Sequence, residues 1–110
     1  MTAALVFGDQ LISAQELESR AARAAGGFAR AGIEEGDVVA LMLRNEPGFF
    51  EAILACRLLG AYHCPINWHF KADEAGFILR DSGAKLLVVS ADLLPQIEAG
   101  IPPSLQRIIE

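Results

Sequence analysis

The spacing of apolar residues changes several times along this chain, and each change marks an element. Val38-Val39-Ala40-Leu41-Met42-Leu43 is an unbroken apolar run, and Lys85-Leu86-Leu87-Val88-Val89-Ser90 holds another. Short runs without alternation are strands covered on both faces, the situation of a parallel sheet. Between Ser13 and Gly32 the period is helical: apolar residues recur at Leu17, Ala21, Ala24, Ala25 and Phe28. Ser13 with Glu16 reads as a capping box, and Gly32 as the terminator. Gly26 and Gly27 inside this helix cost about 1 kcal/mol each relative to Ala, which predicts that another backbone packs closely against them. Tight packing accounts for the pair better than a phosphate role does.

The remaining segments complete an alternation. Ala4 to Phe7 and Leu11 to Ser13 flank the turn cluster Gly8-Asp9-Gln10 and predict a hairpin. Asn45 is placed to cap a second helix over Phe49 to Gly60, with Pro47 in its first turn, where an amide hydrogen has no intrahelical partner. Around that helix only Glu51 and Arg57 are charged, so it calls for burial on several sides. Ala61 to Ile66 reads as a short strand and Asn67 to Lys71 as a loop. Ala75, Ile78 and Leu79 mark the inner face of a helix ending at Gly83. A short helix through Leu93, Leu94 and Ile97, the breaker Gly100-Ile101-Pro102-Pro103 and a last strand at Arg107 to Glu110 follow.

The expected architecture is therefore α/β: a mostly parallel sheet with helices on its faces, joined by right-handed crossovers and preceded by a short N-terminal hairpin. The hairpin covers residues 1–13, the first helix 14–32, and a βαβαβαβ unit 37–110. The last apolar strand stops at Glu110 without a closing element, and the second helix is too apolar for an exposed layer. Both features predict an incomplete unit, with further chain after Glu110. Alone it would expose apolar surface and a pairing edge, which favours self-association.

Composition narrows the functions. The 110 residues carry nine basic and fourteen acidic side chains, a net charge of −5, with no basic block to meet a nucleic acid. Met1 to Gly8 lacks the charged start and long apolar stretch of a secretory signal, and no run approaches a transmembrane segment, so a cytoplasmic protein is expected. Two cysteines make no disulfide framework.

Ligands of open parallel sheets bind beyond the carboxyl ends of the strands, which directs attention to Arg44-Asn45, Ile66-Asn67-Trp68-His69 and Ser90-Ala91-Asp92. No G-x-G-x-x-G or G-x-x-x-x-G-K-[ST] loop is present to cradle a phosphate, and no G-x-S-x-G elbow to present a serine. A receiver-type domain would end its central strands in metal-holding acids, where this chain has Arg44-Asn45 and Asn67. Cys56, His63, Cys64 and His69 lie close in sequence without the spacing of a metal site, and His63 and Cys64 point to opposite faces of one strand. Burial as small hydrophobes is the expected role of the cysteines. Trp68 with His69 is the loop pair expected at a surface. The competing reading, that Trp68 caps the core, follows from the large apolar area of its ring.

Several stretches carry a family resemblance. Ile12-Ser13-Ala14-Gln15-Glu16-Leu17, Gly36-Asp37-Val38-Val39-Ala40-Leu41, Ala52-Ile53-Leu54-Ala55-Cys56 to Leu59-Gly60-Ala61, Pro65-Ile66-Asn67, and Ala72-Asp73-Glu74 to Ile78-Leu79-Arg80-Asp81-Ser82-Gly83-Ala84-Lys85 resemble, in order and spacing, the N-terminal start of the adenylate-forming, AMP-binding acyl-CoA synthetases. The likeness covers about Leu5 to Glu110 and includes none of that family's signature loops. It implies an incomplete N-terminal part of a larger adenylate-forming domain, in an enzyme that activates a carboxylate with ATP and magnesium, then passes the acyl group to a thiol such as coenzyme A. The phosphate loop, ribose-binding acid and catalytic lysine of such enzymes lie downstream of the matched region. The resemblance therefore assigns no catalytic, cofactor or metal residue here, and implies ATP, Mg and coenzyme A only for the intact enzyme.

The segment would serve as scaffold for the rest of its own chain, which would hold the carboxylic-acid substrate. Asn67, Trp68 and His69 are its candidate pocket-wall or interface contacts, the Trp68-His69-Phe70 loop being bulkier than in many relatives. Lys71 stands where relatives commonly carry a Ser or Thr cap, a loss of about 1 kcal/mol that Asp73 and Glu74 partly offset. A free-standing small α/β binding or interaction domain without catalysis is the rival reading, and a carrier-protein thiol the rival acceptor.

Overall fold

A computed structural model describes residues 4–7 and 9–110. Strands β1 (Ala4–Phe7) and β2 (Gln10–Ser13) pair antiparallel, Val6 opposite Leu11. Gln10 thus belongs to the strand, and Gly8, expected in the turn, lies outside the described residues. Helix α1 (Ala14–Arg30) follows at once, capped by the Ser13 hydroxyl, which accepts the Glu16 amide at 3.1 Å. Only this half of the expected capping box is made; the Glu16 carboxylate instead accepts from Arg20 at 2.8 Å. The helix ends two residues before Gly32, which turns the chain at φ 94°.

The second sheet holds β3 (Val38–Met42), β4 (Tyr62–Pro65), β5 (Leu86–Val89) and β6 (Gln106–Ile109) in the order β4-β3-β5-β6, all pairs parallel. The apolar runs occupy its two central strands, as the pattern required, and every residue of β5 is buried. Helix α2 (Pro47–Leu59) joins β3 to β4, α3 (Ala72–Asp81) joins β4 to β5, and α4 (Leu94–Ile97) with a 3-10 turn over Glu98–Gly100 joins β5 to β6.

The alternation of side chains along each strand sorts the core into two layers. Val39, Leu41, Leu86 and Val88 face α1 and α2, packing on Ala25, Phe28, Ala52, Ala55 and Cys56. Ala40, Met42, Leu87 and Val89 face α3 and α4, packing on Ala75, Leu79, Leu93 and Ile97. The apolar stripe read along α1 is the one that is covered. Helix α2 is only partly covered: Ala52, Ala55 and Cys56 are buried, while Leu58 and Phe50 remain exposed.

Two local expectations, at Asn45 and at Gly26-Gly27, are corrected, and a third, at Lys71, holds. Asn45 does not cap α2; Glu46 occupies that position in an extended conformation without a side-chain hydrogen bond, because Pro47 already stands at the first helical position, where no amide hydrogen needs a partner. Lys71 does occupy the cap of α3, and since its ammonium has no acceptor, only the Glu74 carboxylate contributes, accepting the Lys71 amide at 3.1 Å. Among the described residues, Gly26 and Gly27 meet no other backbone: the nearest atoms to a Cβ at either belong to Arg30 of the same helix, at 3.5 and 3.9 Å. The close approach occurs between Gly76 and Gly100 instead. A Cβ on Gly76 would lie 2.7 Å from the Gly100 carbonyl oxygen, and one on Gly100 would collide with the Ala72 carbonyl.

At the amino end of the sheet, Asp37 accepts the Glu34 amide at 2.7 Å and the Lys85 ammonium at 3.2 Å, and Lys85 also donates to the Gly32 carbonyl at 2.7 Å. The Glu34 hydrogen bond, then the Lys85 contact, hold the Asp37 carboxyl below the ordinary aspartate value. This joint fastens the α1–β3 turn to the start of β5.

Candidate functional site at the strand ends

Helix α2, which leaves β3, lies on one face of the sheet, and α4, which leaves the neighbouring β5, lies on the other. The carboxyl ends of β3 and β5 therefore form the topological switch point, where open α/β sheets present a ligand crevice. Arg44 follows β3 and Asp92 follows β5. The Arg44 Nε and Nη2 both reach Asp92 Oδ2, at 2.9 and 2.7 Å, and bridge this crevice.

The loop after β4 joins the same cluster. The Arg44 guanidinium carbon lies 4.8 Å from the centre of the Trp68 ring, within cation–π range. Trp68 in turn stacks on His69, with ring centres 3.7 Å apart. Asn67 Oδ1 accepts the His69 backbone N–H at 2.9 Å and stands 3.0 Å from His69 Nδ1. An amide oxygen only accepts, so the proton of this contact belongs to Nδ1. From the other side, Gln96 Nε2 donates to the Trp68 and Phe70 carbonyls at 3.0 and 2.7 Å, tying the loop to α4. Trp68 keeps 37% of its surface exposed, its ring lying against Arg44 and His69.

A depression of about 280 Å³ opens beside this stack, between Asn45 and Phe49 at the start of α2 and Asn67, Trp68 and His69. All three residues singled out from the sequence line it. Arg44, Asp92 and Gln96 enter the cluster through long-range contacts that depend on strand order and are not visible in sequence spacing.

No acid is placed beside a nucleophile, and no group of three or more His, Cys, Asp or Glu residues that could hold a metal occurs among the described residues. Cys56 is fully buried, and burial pushes its thiol up to about 11, so it is no thiolate nucleophile. Cys64 is half-buried on β4 and His63 exposed beside it. No described helix is long and apolar enough to cross a membrane.

Comparison with known proteins places the whole arrangement. The family model described as AMP-binding enzyme matches residues 2–109. The feruloyl-CoA synthase of an Amycolatopsis species is 36% identical over 85 residues, which make up 77% of this chain and 17% of that protein. A fatty acid–[acyl-carrier-protein] ligase of Streptomyces coeruleorubidus is 29% identical over 97 residues, 88% of this chain and 19% of that one. Among solved structures, a fatty acyl CoA synthetase of Mycobacterium tuberculosis superimposes with a TM-score of 0.86 at 31% identity, over 93% of this chain and 22% of that chain. The chain spans less than a fifth of the length of these two curated relatives.

Proposed function

Because this chain belongs to the AMP-binding enzyme family, we propose that it is the N-terminal scaffold segment, residues 1–110, of a cytoplasmic ATP-dependent acyl-CoA ligase. The intact enzyme in this reading joins a carboxylate to ATP, forming an acyl-adenylate and releasing pyrophosphate. The thiol of coenzyme A then attacks the acyl carbon, forming the thioester and releasing AMP. The observation that carries the proposal is the family match across residues 2–109 on a sheet whose two layers superimpose on a fatty acyl CoA synthetase.

The residues of the segment do not themselves fit ATP, magnesium or coenzyme A. The switch-point crevice is bridged by Arg44 and Asp92, no glycine-rich loop offers backbone amides to phosphates, and the described residues contain no cluster able to hold a metal. The segment alone is therefore inactive in this reading, and no step of the reaction passes through its side chains. Its contribution is a rigid support. The half-covered apolar surface of α2 is the face against which the rest of the intact enzyme packs, and Asn67, Trp68 and His69 form part of a pocket wall or a subunit contact.

The test is Trp68→Ala in the intact enzyme. A wall role predicts a changed preference among acyl chains, and a subunit role a changed assembly state by light scattering. A variant that alters neither removes the loop from the site. Thioester assays with coenzyme A and with a phosphopantetheinylated carrier protein decide the acceptor, which the acyl-carrier-protein ligase among the relatives makes a real alternative.

A further inference from the structure

The loop Asn67 to Phe70 is closed from within by two hydrogen bonds. Asn67 Oδ1 accepts the His69 backbone N–H at 2.9 Å, and the Asn67 carbonyl accepts the Phe70 N–H at 3.0 Å. Both are local, so they shape the turn without fixing its angle to the sheet. That angle is fixed from another element. Gln96 Nε2 donates to the Trp68 carbonyl at 3.0 Å and to the Phe70 carbonyl at 2.7 Å, and its two amide hydrogens thus hold the carbonyls on either side of His69. Among the described residues, no other side chain from outside the loop donates to its backbone.

Gln96 acts from a firm base. It is half-buried in α4, which Leu93 and Ile97, at 2% and 0% exposure, anchor against Met42 and Val89 of the central strands. The indole held in this way does not project. It lies against Arg44 and His69, and the depression beside it recedes toward Leu43, Phe49 and Ile66 at the topological switch point. A receding, mostly apolar surface in that place suits the apolar chain or ring of an acyl group better than it suits a second subunit.

We propose that Gln96 is a positioning residue for acyl-group selection. Its two carbonyl contacts set where the Trp68 ring stands, and the ring sets how bulky an acyl group the intact enzyme accepts. The inference rests on the reading of Trp68 as part of a pocket wall, and adds to it a residue that touches no substrate itself.

The experiment measures carboxylate-dependent pyrophosphate exchange by the intact enzyme with one compact and one bulky acid that it turns over. Gln96→Glu keeps the side-chain size and removes both donors, whereas Gln96→Lys returns a donor at similar reach. Trp68→Ala should change the ratio of kcat/KM between the two acids, and Gln96→Glu should shift it in the same direction about fivefold, the worth of one hydrogen bond. The change should fall in KM for the acid at constant kcat, as for a contact made equally in ground and transition states. Gln96→Lys should recover most of the ratio. In the Trp68→Ala background, Gln96→Glu should add nothing, because it acts through the ring. Gln96→Ala, which deletes the donors without adding a charge, carries the same predictions should the glutamate variant fail to fold. A ratio that changes in Trp68→Ala but not in the Gln96 variants, or two effects that simply add, overturns the inference and leaves the wall standing. A ratio unchanged in Trp68→Ala removes the wall, and this inference with it.

Discussion

Arg44 and Asp92, 48 residues apart, meet through a hydrogen bond from Nε and an ion-pair contact from Nη2 onto one carboxylate oxygen and lock the carboxyl ends of β3 and β5 together. Arg44 simultaneously faces the Trp68 ring, so one side chain gathers the loops after β3, β4 and β5. Exposure of 38% and 59% for the two side chains limits what the ion pair contributes. Arg44→Met should therefore cost about 1 kcal/mol in urea unfolding, the ion pair and the cation–π contact together. A double-mutant cycle with Asp92→Asn should yield a coupling of about 0.5 kcal/mol, and zero coupling would mean the bridge is not formed in solution.

The glycines of the two helices should respond in opposite directions. Gly76→Ala places a methyl group 2.7 Å from the Gly100 carbonyl oxygen, so the 3-10 turn must move, at a cost of about 2 kcal/mol or more. Gly26→Ala and Gly27→Ala meet nothing closer than the Arg30 side chain and should stabilise α1 by about 0.5–1 kcal/mol each. Thermal unfolding of the single variants measures both signs.

Lys71 holds an extended cap conformation, φ −95° and ψ −178°, that suits a serine hydroxyl. Lys71→Ser should supply the missing acceptor for the Glu74 amide and raise stability by about 0.5–1 kcal/mol, read as a higher urea midpoint at unchanged slope.

Acid sensitivity follows from Asp37. Its folded-state value lies below the ordinary 3.8, so the folded protein binds its proton less readily than the unfolded chain does. The resulting stabilisation is complete above that ordinary value and disappears as the pH falls through the lower folded value. Asp37→Asn should flatten the decline in stability over that window, with little change in slope near neutrality. A decline as steep as that of the unaltered protein would place the acid response elsewhere.

The two thiols should separate cleanly. Cys56 is 0% exposed, with its thiol raised to about 11, whereas Cys64 is half-buried on an edge strand. A disulfide reagent at pH 8 should modify Cys64 in the folded protein and Cys56 only after denaturant is added, as peptide mass mapping would record.

Much of this architecture could be read along the chain because its causes are local. The unbroken runs at Val38 and Leu86 announce central strands, and the stripe through Ala21, Ala25 and Phe28 announces the covered face of α1. What sequence spacing does not contain is strand order. Only once β3 and β5 are neighbours do Arg44 and Asp92 become partners, and only then does the Gln96 side chain reach the Trp68 loop. The same holds for the glycines: Gly26-Gly27 is conspicuous as a pair, yet the backbone contact that needs glycine joins Gly76 to Gly100 across two elements. Asn67, Trp68 and His69 were legible as a loop beyond a strand end, while their stacking beneath Arg44 was not.

The central claim, that this segment supports an adenylate-forming ligase, is tested most directly by carboxylate-dependent exchange of labelled pyrophosphate into ATP. The assay is run on the 110-residue chain and on the full translation product of the reading frame that encodes it, across a panel of fatty and aromatic acids. Exchange in the full product with at least one acid, and none in the 110-residue chain, is the result the account predicts. A native product that ends at Glu110, or a longer one that exchanges with no acid while remaining folded and competent to bind ATP, would contradict it.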